Sequence, residues 1–354
     1  MRIGIPREIK IHEGRVALTP PAAGELANHG HEVWLQSGAG VASGYADADY
    51  AALGVKILPE AAAVYERAEL VLKVKEPIAS EYRLLRGDHI LFSYLHLAAM
   101  PELMNVLRER GLTAVAFETV EEQGQLPLLA PMSDIAGRLS VQIGATLLHG
   151  YRGGRGILLG GLPATEHGHV VVLGAGVAGG NAAAVAAALG ANVTVLARSR
   201  DSLERMQRIG PNVTALPSYA ETVEQAVLAA DLLVGAVLIP GAKTPRLVSR
   251  HLVSRMQPGS VIVDISVDQG GCIETTRPTD YDNPTYMVDG VVHFAVTNMP
   301  GAVPRTASQA LSTALLPYVL KLAARDGLHD PAIAAGINVR DGRVVHPALR
   351  RLEH

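Results

Sequence analysis

Four ionisable residues lie in short motifs whose chemistry suits a small substrate that carries a carboxylate. Arg15 stands in HEGRVALTP, Lys75 in LKVKEP, His96 in SYLHLA and Asp268 in DQGG. The two cations can bind a carboxylate, the histidine can exchange a proton near neutral pH, and the aspartate can stabilise a developing iminium. Taken singly, each side chain could also be a surface charge, a hydrogen-bonded histidine or a turn residue. Taken together, they supply what the reductive amination of a keto acid, or its reverse, requires.

A strand, a glycine turn, a helix and a second strand follow one another within residues 169–196. The apolar run that ends at Leu173 predicts a buried parallel strand, and the alanine-rich stretch after the turn predicts a helix. The glycine spacing fits a dinucleotide-binding fingerprint, in which the glycines permit a tight turn, leave room for a pyrophosphate and let the helix pack on the sheet. The predicted cofactor-binding residues of this turn are Gly174, Ala175, Gly176, Val177, Ala178 and Gly179.

The end of the second strand decides which nicotinamide cofactor the chain can bind. An acidic residue usually holds the ribose 2′-hydroxyl of NAD there, but this chain reads Ala197, Arg198, Ser199 and Arg200. Arginine side chains and a hydroxyl can pair with a 2′-phosphate, so the expected cofactor is NAD, with NADP possible or even preferred. The alternative is that both arginines are solvated and backbone groups hold the ribose, and the sequence leaves this choice open.

The composition is that of a soluble globular enzyme. The chain has 354 residues, of which 48% are hydrophobic and 18% are charged, enough to fill the cores of two domains. A formal net charge of −3 without blocks of like charge predicts no nucleic-acid partner. No apolar run is long enough to span a bilayer and the chain begins as a strand, so the cytoplasm is the expected compartment. The single cysteine, Cys272, excludes an intrachain disulfide and a structural zinc site, and no metal is expected.

Strand and helix patterns alternate along the chain, which predicts parallel sheets. The predicted strands cover 2–5, 32–35, 70–74, 90–93, 113–116, 170–173, 193–196, 231–236, 261–265 and 290–296, and the predicted helices include 20–29, 100–110 and 133–149. A further helical pattern at 303–322 can return the chain to the first domain. Pro317 lies inside this pattern and is expected to divide the helix into two pieces.

We therefore predict an α/β fold of two domains, each with a mainly parallel sheet, in which a Rossmann-type NAD(P)-binding domain is inserted into a discontinuous substrate domain. The substrate domain is predicted to comprise 1–128 and 303–351, and the dinucleotide-binding domain 129–302. Residues 352–354 resemble the start of an expression tag. We expect the active site in the cleft between the two domains, a common location for ligand pockets.

Long motifs over nearly the whole chain resemble the family shared by alanine dehydrogenases and the nicotinamide nucleotide transhydrogenase α-subunit. They are MRIGIPREIK, HEGRVALTP, LKVKEP, SYLHLA, PLLAPMSDIAGRLS, GGRGILLGG, VVVLGAGVAG, GAVLIPGAK, DISVDQGG and VTNMPGAVPRT. The resemblance implies an NAD(P)-dependent oxidoreductase of L-alanine catabolism, which converts L-alanine reversibly to pyruvate and ammonium. It also implies a homo-oligomer, usually a hexamer.

The resemblance assigns roles to individual residues of the matching motifs. Arg15 looks like the clamp on the substrate carboxylate, and Lys75 looks like the group that polarises the keto or imine function. His96 is similar to the acid/base that handles the proton on the carbinolamine oxygen, and Asp268 to the residue that activates water and ammonia. The family's usual acidic ribose-binding residue maps to Ala197. Residues that resemble further cofactor contacts are Ser133, Val237, Leu238, Val267, Asn298 and Met299.

Other functions stay open on the sequence alone. A transhydrogenase α-subunit passes hydride between nucleotides and works with membrane partners, so it predicts weaker chemistry at the substrate site. A saccharopine-type amino-acid dehydrogenase shares the architecture but needs space for a much larger substrate. A nucleotide sensor could keep the fold without catalysis. The simultaneous presence of Arg15, Lys75, His96 and Asp268 favours an amino-acid dehydrogenase.

Overall fold

The computed structural model describes residues 1–237 and 244–351. The chain divides into two compact units, the first made of Met1–Met132 with Gly301–His354 and the second of Ser133–Pro300. Each unit contains one mainly parallel sheet and several helices. The predicted α/β fold, with a Rossmann-type unit inserted into a discontinuous one, is confirmed.

The helices and strands alternate along most of the chain. The strands are β1 (Arg2–Ile5), β2 (Glu32–Gln36), β3 (Lys56–Leu58), β4 (Leu70–Leu72), β5 (Ile90–Ser93), β6 (Thr113–Ala116), β7 (His169–Leu173), β8 (Asn192–Ala197), β9 (Val213–Pro217), β10 (Leu232–Gly235), β11 (Val261–Asp264), β12 (Thr285–Val288), β13 (Val291–Phe294), β14 (Ile337–Arg340) and β15 (Arg343–Val344). The helices are α1 (Pro20–Asn28), α2 (Asp47–Ala51), α3 (Ala61–Arg67), α4 (Pro101–Arg110), α5 (Ala130–Leu147), α6 (Val177–Ala188), α7 (Arg200–Gln207), α8 (Ala220–Ala229), α9 (Arg250–Val253), α10 (Pro304–Ala323), α11 (Pro331–Gly336) and α12 (Pro347–Arg350).

The sheet of the first unit has the strand order β15-β14-β6-β5-β4-β1-β2-β3. Strands β1 to β6 are parallel, whereas β14 pairs with β6 in antiparallel orientation and β15 pairs antiparallel with β14. The central strands are fully buried and apolar, as Val71 and Leu91 illustrate. Because parallel strands end at the same edge of a sheet, the loops that follow β1, β4, β5 and β6 gather at one edge.

Helix α10 returns the late part of the chain to the first unit and fixes the loop after β1. The hydroxyl of Ser308 accepts the backbone N–H of Val16 at 2.9 Å, and that of Ser312 accepts the N–H of Thr19 at 3.0 Å. The helix runs unbroken past Pro317, so the prediction of two pieces is wrong. A proline removes one backbone donor, and the buried face of α10 stabilises the helix in spite of that loss.

The sheet of the second unit has the order β12-β13-β11-β10-β7-β8-β9, with all strands parallel except β12. The chain adds β8 and β9 on one side of β7, and then β10, β11 and β13 on the other. This order creates a switch point between β7 and β10. Ligands of doubly wound α/β sheets bind outside the carboxyl ends of the strands at such a point.

Cys272 is a buried free thiol in the second unit. Burial, together with the nearby charge of Asp264, raises the pKa of Cys272 to about 12, which keeps the thiol protonated and unreactive. Within 1–237 and 244–351, no group of three or more histidine, cysteine, aspartate or glutamate side chains could hold a metal ion. In the same ranges, no helix has the length and apolar character needed to cross a membrane.

Candidate active site

Most of the predicted cofactor residues lie at or just after the carboxyl ends of neighbouring strands in the second unit. Leu173 of β7 pairs with Gly235 of β10, which in turn pairs with Asp264 of β11, so these three strands end level with one another. Their following loops therefore share one edge of the sheet, at the switch point. The predicted residues placed along this edge are Gly174, Ala175, Gly176, Val177, Ala178, Gly179, Ala197, Arg198, Val237, Val267, Asp268, Asn298 and Met299.

The glycine turn between β7 and α6 has the shape and space that a pyrophosphate needs. Gly174 has φ +102°, and a Cβ there would lie 2.6 Å from the carbonyl oxygen of Ala236. A Cβ on Gly179 would overlap the carbonyl oxygen of Gly174, so only glycine lets α6 pack this closely. A Cβ on Gly176 would meet no atom of the described chain within 4 Å. The turn thus fits a dinucleotide, with open space at Gly176 beside the amino terminus of α6.

Helix α5, which contains Ser133, packs on α6 close to the same turn. Gly137 has no room for a Cβ, because that atom would overlap the carbonyl oxygen of Ala178 at the start of α6. The side chain of Asn181 also donates to the carboxylate of Asp134 at 2.7 Å and joins the two helices. Residues four apart lie on one face of a helix, so Ser133 shares with Gly137 the face that meets α6.

The end of β8 has no acidic side chain, as the sequence indicates. Ala197 is buried, and the next residue, Arg198, is exposed. Ser199 is the N-cap of α7. The guanidinium of Arg200 is engaged on its own helix, where Nε donates to Glu204 at 2.8 Å. Arg198 is therefore the cation that directly follows the strand end at the expected ribose position.

Asp268 lies in a short 3-10 turn that a buried aspartate shapes from the end of β11. Oδ1 of Asp264 accepts the backbone N–H of Ser266 at 3.0 Å and its hydroxyl at 2.7 Å, and Oδ2 accepts the hydroxyl of Thr276 at 2.7 Å. Burial raises the pKa of Asp264, although these hydrogen bonds act in the opposite direction. Val267 is buried, whereas Asp268 is exposed.

The other cofactor predictions fall on two further loops. The backbone nitrogen of Val237 lies 3.3 Å from where a Cβ on Gly174 would be, so the loop after β10 borders the glycine turn. Asn298 has φ +62°, a left-handed conformation that asparagine adopts more readily than most residues, and Met299 beside it is buried. Leu238 lies outside the described residues.

The predicted substrate residues of the first unit lie on adjacent loops. Arg15 follows β1, Lys75 follows β4 and His96 follows β5, and these strands are neighbours in the order β5-β4-β1. The structure therefore brings the three residues to one edge of that sheet. Asp268 belongs to the second unit.

Arg15 is buried and held by Glu13. Nε of Arg15 donates to Oε1 of Glu13 at 2.7 Å, and Nη2 donates to Oε2 at 2.5 Å, which forms a two-point fork. Nη1 donates to the sulfur of Met132 at 3.0 Å. Burial by itself would lower the pKa of Arg15, but the hydrogen bonds and charge of Glu13 outweigh it and raise the pKa. The guanidinium therefore keeps its positive charge in a buried setting.

Lys75 lies in a run of buried charged residues after β4 and is 9% exposed. Nζ of Lys73 lies 2.9 Å from Oε1 of Glu81. Burial would raise the pKa of Glu76, but a hydrogen bond from Lys10 and the charge of Lys75 lower it below its usual value. The cations here are thus balanced by carboxylates, which offsets the cost of placing charges in a largely buried loop.

His96 adopts a left-handed backbone conformation with φ +48°, which costs roughly 1–3 kcal/mol in a non-glycine residue. The carboxylate of Glu118 accepts the backbone N–H of His96 at 2.6 Å and that of Leu95 at 3.2 Å. The ring of Tyr94 is nearly parallel to the imidazole, at an interplanar angle of 5° and a centroid separation of 6.0 Å. The backbone of His96 is thus fixed by Glu118. Its side chain is 44% exposed and is therefore accessible to a substrate.

Sequence reasoning missed three carboxylates that organise the predicted residues. Glu13 precedes Arg15 by two positions, and an acid so close to a buried cation is a usable signal. Glu118 stands just after the strand next to that of His96, which only the sheet order reveals. Asp264 ends an apolar strand, where a polar residue often caps the following turn.

Two family models match consecutive parts of the chain. The model described as "Alanine dehydrogenase/PNT, N-terminal domain" matches residues 4–136, and the model described as "Alanine dehydrogenase/PNT, C-terminal domain" matches residues 140–347. Together they span nearly the whole sequence.

Individual relatives agree with these models. The chain is 49% identical to an alanine dehydrogenase of Halomonas elongata, over 99% of this chain and 96% of the relative. A solved structure named L-alanine dehydrogenase superposes with a TM-score of 0.96 at 50% identity, covering 100% of this chain and 99% of the other. A transhydrogenase structure from Sinorhizobium meliloti superposes with a TM-score of 0.85 at 26% identity, over 98% of this chain and 100% of the other. The chain belongs to the alanine dehydrogenase/PNT family.

Proposed function

We propose that the protein is an NAD(P)-dependent alanine dehydrogenase, which converts L-alanine, water and NAD(P)⁺ reversibly into pyruvate, ammonium, NAD(P)H and a proton. The observation that carries this proposal is Arg15, a buried guanidinium that keeps its charge on the same sheet edge as Lys75 and His96. A carboxylate-binding cation beside a second cation and an imidazole suits an amino acid and its keto acid. A protein that acts only on nucleotides does not need a buried guanidinium, a second cation and an imidazole on one sheet edge.

Arg15 and Lys75 would bind and orient the substrate. Glu13 engages the Nε–Nη2 edge of the guanidinium, and the guanidinium oriented in this way would bind the substrate carboxylate. The ammonium of Lys75 would donate to the keto oxygen of pyruvate and draw electron density from its carbonyl carbon. Two fixed contacts of this kind leave one face of the substrate carbon directed at the hydride donor or acceptor.

His96 and Asp268 would move the protons. His96 would donate a proton to the carbinolamine hydroxyl as water leaves, and would take it back in the reverse direction. Asp268 would accept a proton from the attacking ammonia or water, and its negative charge would stabilise the cationic imine. These roles rest on the family's motif positions and on the exposure of both side chains.

A nicotinamide cofactor, when bound, supplies the hydride acceptor. The glycine turn would hold its pyrophosphate at Gly176 and the amino terminus of α6. We propose that the chain accepts NADP(H) as well as NAD(H), because Ala197 removes the carboxylate that would repel a 2′-phosphate. The exposed Arg198 would then pair with that phosphate.

The initial rate of NADH and NADPH oxidation with pyruvate and ammonium, run side by side, tests the proposal. Turnover that requires both pyruvate and ammonium supports it. The cofactor that reacts faster shows whether the site prefers a ribose 2′-hydroxyl or a 2′-phosphate. Activity with 2-oxoglutarate and lysine instead would indicate a saccharopine-type enzyme. Hydride exchange between nucleotides, without any keto acid, would move the assignment to the transhydrogenase branch.

We also propose that the protein is a homo-oligomer, a hexamer by its family resemblance. Large apolar side chains of the second unit are exposed, with Tyr151 at 74%, Leu158 at 60%, Leu162 at 62% and Met287 at 57%. Exposed apolar surface of this kind is often covered by another chain. Light scattering after size-exclusion chromatography tests the point, since a particle of the mass of one chain would contradict it.

A further inference from the structure

The fork between Glu13 and Arg15 has a feature that an ordinary ion pair lacks. Oε1 of Glu13 accepts hydrogen bonds from both Nε and the backbone N–H of Arg15, the latter at 3.0 Å. Oε2 accepts Nη2. One carboxylate therefore fixes the main chain and the guanidinium of the same residue, and both side chains are buried, at 2% and 0% exposure.

The backbone around Arg15 is anchored independently of Glu13. The hydroxyl of Ser43 donates to the carbonyl oxygen of Gly14 at 2.8 Å, and the N–H of Val16 is bound by Ser308 of α10. Gly14 is also enclosed, because a Cβ there would lie 3.1 Å from Cβ of Ala42. Loss of the Glu13 carboxylate would therefore remove the two-point fork on the guanidinium while the loop keeps these anchors.

Two glutamates, Glu8 and Glu13, act on the charge of Arg15, but they contact it differently. Nζ of Lys73 pairs with Glu8 at 3.1 Å, and burial together with the nearby charge of Glu13 raises the pKa of Glu8 although Lys73 lowers it. Both Glu8 and Glu13 favour the charged form of Arg15. Of these two carboxylates, it is Glu13 that contacts the guanidinium through a two-point fork. Its geometry, and not only its charge, distinguishes it from Glu8.

We propose that Glu13 is a positioning residue for substrate binding, which fixes the orientation in which the guanidinium of Arg15 meets the substrate carboxylate. This inference rests on the proposed function, in which Arg15 is the carboxylate clamp. Glu13 acts through Arg15 and touches no substrate atom. Its contribution is preorganisation, because a guanidinium held in one orientation loses little freedom when the substrate binds.

Steady-state kinetics of Glu13→Gln test the proposal. Glutamine has nearly the same size but offers one acceptor and a competing donor, so it cannot form the fork. We expect KM for pyruvate to rise about tenfold, with kcat changed less than about threefold and KM for the cofactor unchanged. Glu13→Asp keeps the charge and should give a KM between those of the wild type and Glu13→Gln. An unchanged KM for pyruvate would overturn the proposal, and a lower KM would show that Glu13 competes with the substrate instead.

A double-mutant cycle separates positioning from a general structural role. In an Arg15→Lys background there is no guanidinium fork to hold, so adding Glu13→Gln should raise KM for pyruvate by less than about twofold. Additive effects of the two changes would contradict an action through Arg15.

Asp231→Asn is the matched control, because it removes a buried carboxylate that pairs with Arg155 and accepts the backbone N–H of His169 at the amino ends of strands in the second unit. It should lower the melting temperature without raising KM for pyruvate. If the wild type itself gives no turnover with pyruvate and ammonium, the proposed function fails. If the wild type is active and Glu13→Gln keeps its KM, only the present inference fails.

Discussion

The carboxylate of Glu118 accepts the backbone N–H of His96 at 2.6 Å and lies 3.9 Å from Nδ1 of the same residue. At 3.9 Å the ring nitrogen is too far from the carboxylate oxygen for a hydrogen bond. The two residues are 22 positions apart in sequence and meet because β5 and β6 are neighbours. Glu118 thus stabilises the left-handed backbone that sets the direction of the imidazole.

Replacement of Glu118 by glutamine is therefore expected to slow the reaction. The hydrogen bonds to the backbone of residues 95 and 96 lose their charge assistance, which makes such bonds roughly twice as strong as neutral ones. We expect kcat to fall about tenfold with KM for the cofactor unchanged. The exposed neighbour Glu121, changed to glutamine, serves as the control. Equal kcat values for Glu118→Gln and wild type would show that this carboxylate does not orient His96.

His96→Ala and Asp268→Ala should each reduce kcat by at least about 100-fold, because each removes a proposed proton-transfer or charge-stabilising group. Both side chains are exposed, so neither change disturbs a core. Steady-state assays of the purified variants, with circular dichroism to confirm folding, measure this. Near-normal turnover of a folded variant would remove that residue from the mechanism.

Two alanine substitutions in the glycine turn should fail in different ways. Gly176→Ala adds a methyl group in open space, so the protein should fold normally while KM for the cofactor rises at least about tenfold. Gly179→Ala forces a methyl group onto the carbonyl oxygen of Gly174 and should lower stability by about 1–3 kcal/mol or more. Thermal unfolding and cofactor titration distinguish the two.

Gly180→Ala is the control for both variants, because its Cβ would meet only the flexible end of Met206, at 3.3 Å. It should leave cofactor affinity and stability close to those of the wild type. Normal cofactor binding by Gly176→Ala would mean that the pyrophosphate does not approach the backbone there.

Arg198→Asp should raise the ratio of kcat/KM with NAD to that with NADP. A carboxylate at this position can accept the ribose 2′-hydroxyl and repels a 2′-phosphate. Arg200→Asp makes the same change of charge two residues later, where the wild-type side chain is engaged with Glu204, and should alter the ratio much less. A similar change of the ratio in both variants would mean that the overall charge near the site, and not a contact with the ribose, determines cofactor preference. An unchanged ratio in Arg198→Asp would show that Arg198 does not contact the ribose.

Stability should depend on acid pH through Glu122. Hydrogen bonds from Lys321 at 2.8 Å and from the hydroxyl of Tyr318 at 2.6 Å lower the pKa of Glu122 in the folded protein. Its stabilising effect is therefore present above the unfolded pKa of about 4.3 and is lost as the pH falls through the lower, folded value.

Melting temperatures of the wild type and Glu122→Gln, measured from about pH 7 to about pH 3, test this dependence. The wild type should melt higher near neutral pH, and the difference should shrink in acid. A difference that stays constant across this range would contradict a role for the ionised carboxylate.

Several strands escaped the sequence analysis for a common physical reason. Strands β3, β9 and β12 are half-exposed, with burial that alternates or is incomplete, so they contain no continuous apolar run. Strand β14 joins the first sheet at β6, far from it in sequence, and β15 has only two residues and pairs with β14. The fully buried central strands, such as β7 and β10, were the ones that apolar runs revealed.

The sequence by itself determined the dinucleotide turn, because β7, the glycines and α6 are contiguous, and because Gly174 and Gly179 each meet a local steric need. It also located Arg15, Lys75 and His96 in their motifs. Only the tertiary structure decided that these three share a sheet edge, that Glu118 holds His96, and that α10 anchors the loop of Arg15 from 292 residues away. Such relationships depend on strand order and on packing between distant segments, which local periodicity does not encode.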